Sequence, residues 1–224
     1  MNQLGIAFSF KRTQLLILFV LFLGISHAHE KPVLLKDLEQ GNRGCNVTEM
    51  VSSGNKAFFV ANDGITGNEL WMTDAQSAGT VLVSDLCPGN CGSSPKHLIN
   101  VDGVLFFTAY ESSKGTEIWK SDGTKEGTFR VKDINKGGSN VSPDHLTAFK
   151  GKLYFTANDG KNGTEIWVSD GTDKGTMLLK NLDNGKGDSN PIGLIEYDNY
   201  LWFFSGNNQN GYKIWKSDGS TDGT

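Results

Sequence analysis

The sequence is poor in the residues that most active-site chemistries draw on. It has three cysteines, five prolines and four histidines. His27 lies in the N-terminal leader, and His97 and His145 stand one repeat apart, so they read as repeat positions and not as a converging site. No Gly-x-Ser-x-Gly, His-Glu-x-x-His or P-loop pattern occurs, which leaves the hydrolase-elbow, zinc-protease and nucleotide-phosphate chemistries without their sequence signatures. There is no block of like charge, and the formal net charge is -4. That balance gives no electrostatic reason to expect nucleic acid or an anionic membrane as a partner. Helical periodicity is missing, and so is a Gly-X-Y period. After the N-terminal leader no apolar run approaches the roughly 20 residues that span a bilayer.

The leader is legible. Lys11 and Arg12 precede the apolar run from Leu15 to Ile25, and Ser26-His27-Ala28 follows. A basic start, a short apolar core and a small-x-small tripeptide form a secretory signal peptide, here residues 1–28, cleaved to leave a mature chain from His29. The mature protein is therefore expected outside the cytoplasm, secreted or at the cell surface. In that setting Cys87 and Cys91, in "DLCPGNCGSS", are read as a local disulfide. Zinc needs about four ligands, and no second pair stands nearby. Cys45 is the odd residue, either free or paired with one of the others.

What the chain has in excess is glycine, 28 of 224 residues, against a usual share of about 7%. Together with plentiful aromatics this predicts many tight turns between short packed strands. The turns are periodic. Trp71, Trp119, Trp167 and Trp215 are spaced by 48 residues, as are Asp74, Asp122, Asp170 and Asp218, and Gly79, Gly127, Gly175 and Gly223. The repeats are 33–80, 81–128, 129–176 and 177–224, without an insertion.

Within the third copy, "HLTAF", "LYFTA", "EIWVS" and "TMLLKNL" are strand-like runs parted by Gly-, Asn- and Asp-rich turns. Four antiparallel strands in a repeat of this length match a β-propeller blade. The expected fold is an all-β propeller with domain 29–224. It is either a closed four-bladed ring or a fragment of a larger propeller. In the closed ring, "VLLKDL" (33–38), which has the register of a blade's last strand, completes the C-terminal blade. A β-solenoid ranks lower, because its strands are not hairpin-linked.

The motif "EIWKSDGTKEGT" at 117–128 reads first as a scaffold turn. Ile118 and Trp119 face opposite sides of a strand, Asp122 accepts from nearby backbone N–H groups, and the glycines permit positive φ. The first copy, "ELWMTDAQSAGT", keeps Asp74 and Gly79 but has Ala75 and Gln76. A turn tolerates that exchange better than a ligand site does. A second recurring turn, "NDGITGNE" and "NDGKNGTE", offers Asp63 and Glu69, or Asp159 and Glu165, as calcium ligands. The other copies place Glu111 with Glu117, and Asn207 with Lys213, which weakens that reading in favour of a structural hairpin. No other cofactor is expected. Ligand contacts are expected where copies differ, at Tyr110 and Tyr212, as sugar-stacking aromatics. Sequons stand at Asn46, Asn140 and Asn162.

At "ELWMTDAQSAGT", "EIWKSDGTKEGT", "EIWVSDGTDKGT" and "KIWKSDGSTDGT" the chain resembles the ELWxxDGT-repeat proteins. The resemblance spans Val33 to Thr224 and implies a secreted or surface-displayed β-propeller. Many members are longer and end in a sorting or anchoring domain. The resemblance carries over no catalytic residue. The functional expectation is a secreted, non-enzymatic interaction or adhesion module whose partner is an extracellular protein or glycan. The alternative is a carbohydrate-binding or glycan-cleaving propeller, and a third reading is a calcium-stabilised scaffold.

Overall fold

The computed structural model describes residues 32–38, 45–89, 91–136, 142–183, 185, 187–207 and 211–224. The segment 1–28, expected as a signal peptide, and the Asn140 sequon lie outside the described residues. No helix among the described residues is long and apolar enough to cross a membrane.

Short runs of alternating apolar residues, each closed by a Gly-, Asn- or Asp-bearing turn, fold into four antiparallel meanders. The first sheet comprises β1 (Met50–Ser53), β2 (Lys56–Asn62), β3 (Asn68–Thr73) and β4 (Val81–Ser84). The second comprises β5 (Lys96–Val101), β6 (Val104–Glu111), β7 (Gly115–Ser121) and β8 (Phe129–Arg130). The third comprises β9 (Asp144–Phe149), β10 (Lys152–Asn158), β11 (Thr164–Ser169) and β12 (Met177–Lys180). The fourth has three strands, β13 (Ile192–Tyr197), β14 (Tyr200–Asn207) and β15 (Gly211–Ser217). The register is the same in each: Phe59, Phe107, Phe155 and Phe203 stand opposite Trp71, Trp119, Trp167 and Trp215.

A strand's side chains alternate between two faces, so each sheet is apolar on both sides and must be covered on both. Ile118 packs with Phe155 and Trp167 of the third sheet, while Trp119 packs with Phe58 and Leu70 of the first. The expected opposition of Ile118 and Trp119 is observed. The third sheet's Tyr154 and Ile166 pack in turn on Leu201 and Phe203 of the fourth. The sheets thus stack in sequence order, and the first strands β1, β5, β9 and β13 lie side by side. Side chains bind these strands across the seams. Leu98 donates its backbone N–H to Glu49 at 2.8 Å, and Thr147 donates its hydroxyl to the Leu194 carbonyl at 3.0 Å. All four sheets belong to the unit Leu34–Thr224.

The expected completion of the fourth sheet by residues 33–38 is not observed. Residues 32–37 belong to no strand, and Leu38 packs against Phe59, Ala61 and Trp71 on the outer face of the first sheet. That apolar face captures the segment at the opposite end of the row from β15. No closed ring is present among the described residues.

Candidate functional site at the sheet seams

The repeated Trp-Ser-Asp-Gly-Thr string follows the third strand of each sheet, and in the first three sheets its turn leads into the fourth strand. In the second sheet the Asp122 carboxylate accepts from the Thr124 N–H at 2.8 Å and the Thr124 hydroxyl at 2.7 Å. The Gly127 N–H donates to the Thr124 hydroxyl at 2.9 Å, and Ser121 pairs with Thr128 at 2.7 Å. Asp170 and Asp218 repeat the pattern with Thr172 and Ser220, and Asp74 keeps the contact with the Gln76 N–H. The Thr124 hydroxyl and N–H hold the Asp122 carboxyl below its usual range, helped by nearby Lys56. Gly79, Gly127, Gly175 and Gly223 are required for space, because the neighbouring Asp carboxylate fills the position of a Cβ at each. The Ser, Asp and Thr side chains of the string bond within the turn, whereas the indole N–H groups of Trp71, Trp119 and Trp215 have no hydrogen-bond partner among the described residues. Trp71, Trp119 and Trp167 are buried, and Trp215 is only partly so.

Asp63 and Asp159 cap their own hairpins. Asp63 accepts from the Ile65 and Thr66 N–H groups at 2.9 and 2.8 Å, and Asp159 from those of Lys161 and Asn162 at 2.9 and 2.8 Å. Burial alone would raise Asp63, but the Thr66 and Ile65 bonds outweigh it and hold the carboxyl low. Glu69 and Glu165 are fully buried and act elsewhere, as ties to the loop that enters the next sheet. Glu69 accepts from the Ser93 N–H at 2.7 Å and Glu165 from the Leu182 N–H at 3.0 Å, with Ser93 and Ser189 hydroxyls added. Burial pushes both glutamates up, against those hydrogen bonds. Among the described residues no group of three or more His, Cys, Asp or Glu is placed to hold a metal ion. Of each pair considered for calcium, Asp63 or Asp159 turns a hairpin and Glu69 or Glu165 ties two sheets. Cys87 and Cys91 form a disulfide with Cα atoms 6.0 Å apart, and Cys45 is free.

Two polar clefts open at seams, at the ends of the sheets opposite the Trp-Ser-Asp-Gly-Thr hairpins. The first, ≈ 240 Å³, lies between the second and third sheets and includes Lys96, His97, Tyr110, Thr116 and Asp144. Tyr110 is 39% exposed there. His97 sits in a β-bulge of β5 with φ 56°, and bulges re-aim side chains. Its Nε2 comes within 3.6 Å of the Asp144 carboxylate from the neighbouring sheet. His145 reaches the same carboxylate at 3.6 Å. The second cleft, ≈ 140 Å³, lies between the fourth sheet and the loop that joins the third sheet to it, and includes Asp183, Asp188, Ser205, Lys213 and Trp215. Lys213 occupies the register of the buried glutamates, so the fourth copy replaces a tie with a cation lining a cleft. Trp215 stacks on Phe203, ring centroids 6.4 Å apart and planes at 4°. Tyr212 is exposed beside this cleft but does not line it.

Of the two tyrosines expected as ligand contacts, Tyr110 lines the first cleft and Tyr212 does not line the second. His97 with Asp144, and Asp183 with Asp188, were missed. Each combination is assembled across a loop or seam, and the only advance signal was the Glu-to-Lys exchange at position 213.

No family model and no curated protein matches the chain. Among solved structures, a puromycin hydrolase matches with a TM-score of 0.54 at 12% identity, over 77% of this chain and 27% of that one. A second puromycin hydrolase structure gives the same TM-score and identity over 78% and 28%. An acylaminoacyl peptidase of Pyrococcus horikoshii matches at 0.49 and 11% identity, over 77% and 26%. The chain thus spans about a quarter of the length of these proteins. The likeness bears on fold alone: an all-β arrangement of antiparallel sheets as found in propeller-containing hydrolases.

Proposed function

We propose that this protein is a secreted, non-enzymatic β-propeller module of the ELWxxDGT-repeat type, which takes an extracellular ligand in the seams between its blades. The observation that carries the reading is the division of labour along each sheet. At one end, the Ser, Asp and Thr side chains of the repeated turns bond within their own turns. At the other, side chains that differ between copies line open polar clefts. The 48-residue period, the four-strand meanders and their sequential stacking support blades. The N-terminal leader and the Cys87–Cys91 disulfide support an oxidising, extracellular destination.

A glycan is the ligand class the clefts favour. Tyr110 offers an exposed ring beside Lys96, His97 and Asp144, and the partly buried Trp215 ring lines a cleft with Asp183, Asp188 and Lys213. An aromatic platform with convergent polar groups suits the apolar faces and hydroxyls of a sugar. An array of oligosaccharides probed with the purified secreted chain, together with a hydrolase substrate panel, tests this. Binding without turnover supports the proposal. Turnover of a glycoside would replace the module with an enzyme, and silence on both would move the ligand to the protein class.

A further inference from the structure

The seam between the second and third sheets departs from the repeat at the positions that line its cleft. Both flanking sheets carry four strands, so the cleft is bounded by complete meanders. In the first and third copies the position of Tyr110 is held by Asn62 and Asn158. Each accepts the N–H of the glycine two residues on, Gly64 or Gly160, at 2.8 Å and so closes its own hairpin. The second copy replaces that amide with an aromatic ring that faces the cleft.

Charge is unevenly placed across the same seam. Lys96 and Asp144 stand one repeat apart, at the starts of β5 and β9, and the other members of that register are Thr48 and Ile192. Each precedes a register shift against its second strand, Lys96 opposite Thr108 and Asp144 opposite Thr156. Asp144 is engaged. Its Oδ1 accepts the His145 N–H at 2.6 Å and lies 3.6 Å from both His97 Nε2 and His145 Nδ1. Lys96 is exposed and has no ion-pair partner among the described residues. The cleft therefore holds one uncommitted charge, and it is positive.

Volume limits the occupant. At ≈ 240 Å³ the cleft is smaller than the roughly 300–1,000 Å³ of sites that enclose a drug-sized ligand. It takes a single ring and leaves the rest of a chain outside.

We infer that the occupant is an acidic sugar, a pyranoside bearing a carboxylate or sulfate, and that Lys96 is the residue that selects the anionic group. The inference rests on the glycan reading of this cleft given above. Tyr110 stacks on the apolar face of the ring, Asp144 accepts from its hydroxyls, and the Lys96 ammonium donates to the anionic group. A neutral sugar leaves the Lys96 charge unpaired, and an amino sugar sets a like charge beside it.

The test is calorimetric titration of the purified chain with three matched sets of oligosaccharides: uronates, sulfated hexoses and neutral hexoses. Wild type, Lys96→Gln and Lys96→Arg are compared. Lys96 is exposed, so both variants should melt as the wild type does. The wild type is expected to bind one anionic set at least about tenfold tighter than the neutral set, in the range of a charge-assisted hydrogen bond. Whichever set gains identifies the anionic group. Lys96→Gln should level the ratio with neutral affinity unchanged, and Lys96→Arg should keep it. Equal wild-type affinity for anionic and neutral sugars overturns the inference while glycan binding stands. So does an anionic preference that survives in Lys96→Gln. Silence towards all three sets overturns the glycan reading, and this inference with it.

Discussion

The Asp122 carboxylate fills the space that a Cβ on Gly127 would need. The two ends of the motif are therefore a single packing unit, and Gly-Thr recurs after each Asp for a steric reason. Gly127→Ala should force Asp122 out of its turn and sever the Thr124 contacts. A loss of about 2 kcal/mol in urea unfolding is expected, in the usual range for overpacking with lost hydrogen bonds. A change below a few tenths would contradict the turn as described.

Ala75 has φ 70°, where the other copies place Gly123, Gly171 and Gly219 at φ 91°, 84° and 94°. A Cβ in the left-handed region costs roughly 1–2 kcal/mol, part of which is returned by the stiffer unfolded chain. Ala75→Gly is expected to stabilise by about 1 kcal/mol, read as a raised melting temperature.

Glu117 is fully buried, and its Oε1 has no hydrogen-bond partner among the described residues. Burial pushes its carboxyl up to about 7, opposed by the Ile134 N–H and Arg130 and reinforced by Asp133 and Glu111. The folded value lies above the unfolded one, so folding favours the protonated form. Stability from this group is full below about pH 4.5 and falls as pH rises towards 7, levelling off above. Glu117→Gln should remove that fall, gaining up to about 3 kcal/mol relative to wild type at pH 8 over pH 4. Parallel pH profiles for the two proteins would sink this assignment.

Asp63 and Asp159 accept hydrogen bonds from their own hairpins, and Glu69 and Glu165 from the loops they tie. Excess chelator should therefore leave the melting temperature unchanged. A drop restored by calcium would revive the metal-stabilised reading.

The repeat made much of this legible in advance. Strand runs, turns and the opposite facing of Ile118 and Trp119 follow from local pattern, because each sheet is a local meander. The Asp-Gly packing was only half visible: turn chemistry predicts the Asp bonds but not the Gly at a distance of five residues. The destination of "VLLKDL" was not readable, since an apolar strand is attracted equally to an edge and to an exposed face. The His97–Asp144 approach was hidden because stacking sheets brings together residues that no sequence period marks as a pair.

The most direct test of the division between building turns and binding seams is one comparison on an oligosaccharide array: wild type, Tyr110→Ala and Asp122→Ala, each with its melting temperature. The account predicts that Tyr110→Ala loses at least about tenfold in affinity, roughly 1.4 kcal/mol, with melting unchanged. Asp122→Ala should melt earlier yet bind normally while folded. Binding abolished by Asp122→Ala in the folded protein and untouched by Tyr110→Ala would contradict it.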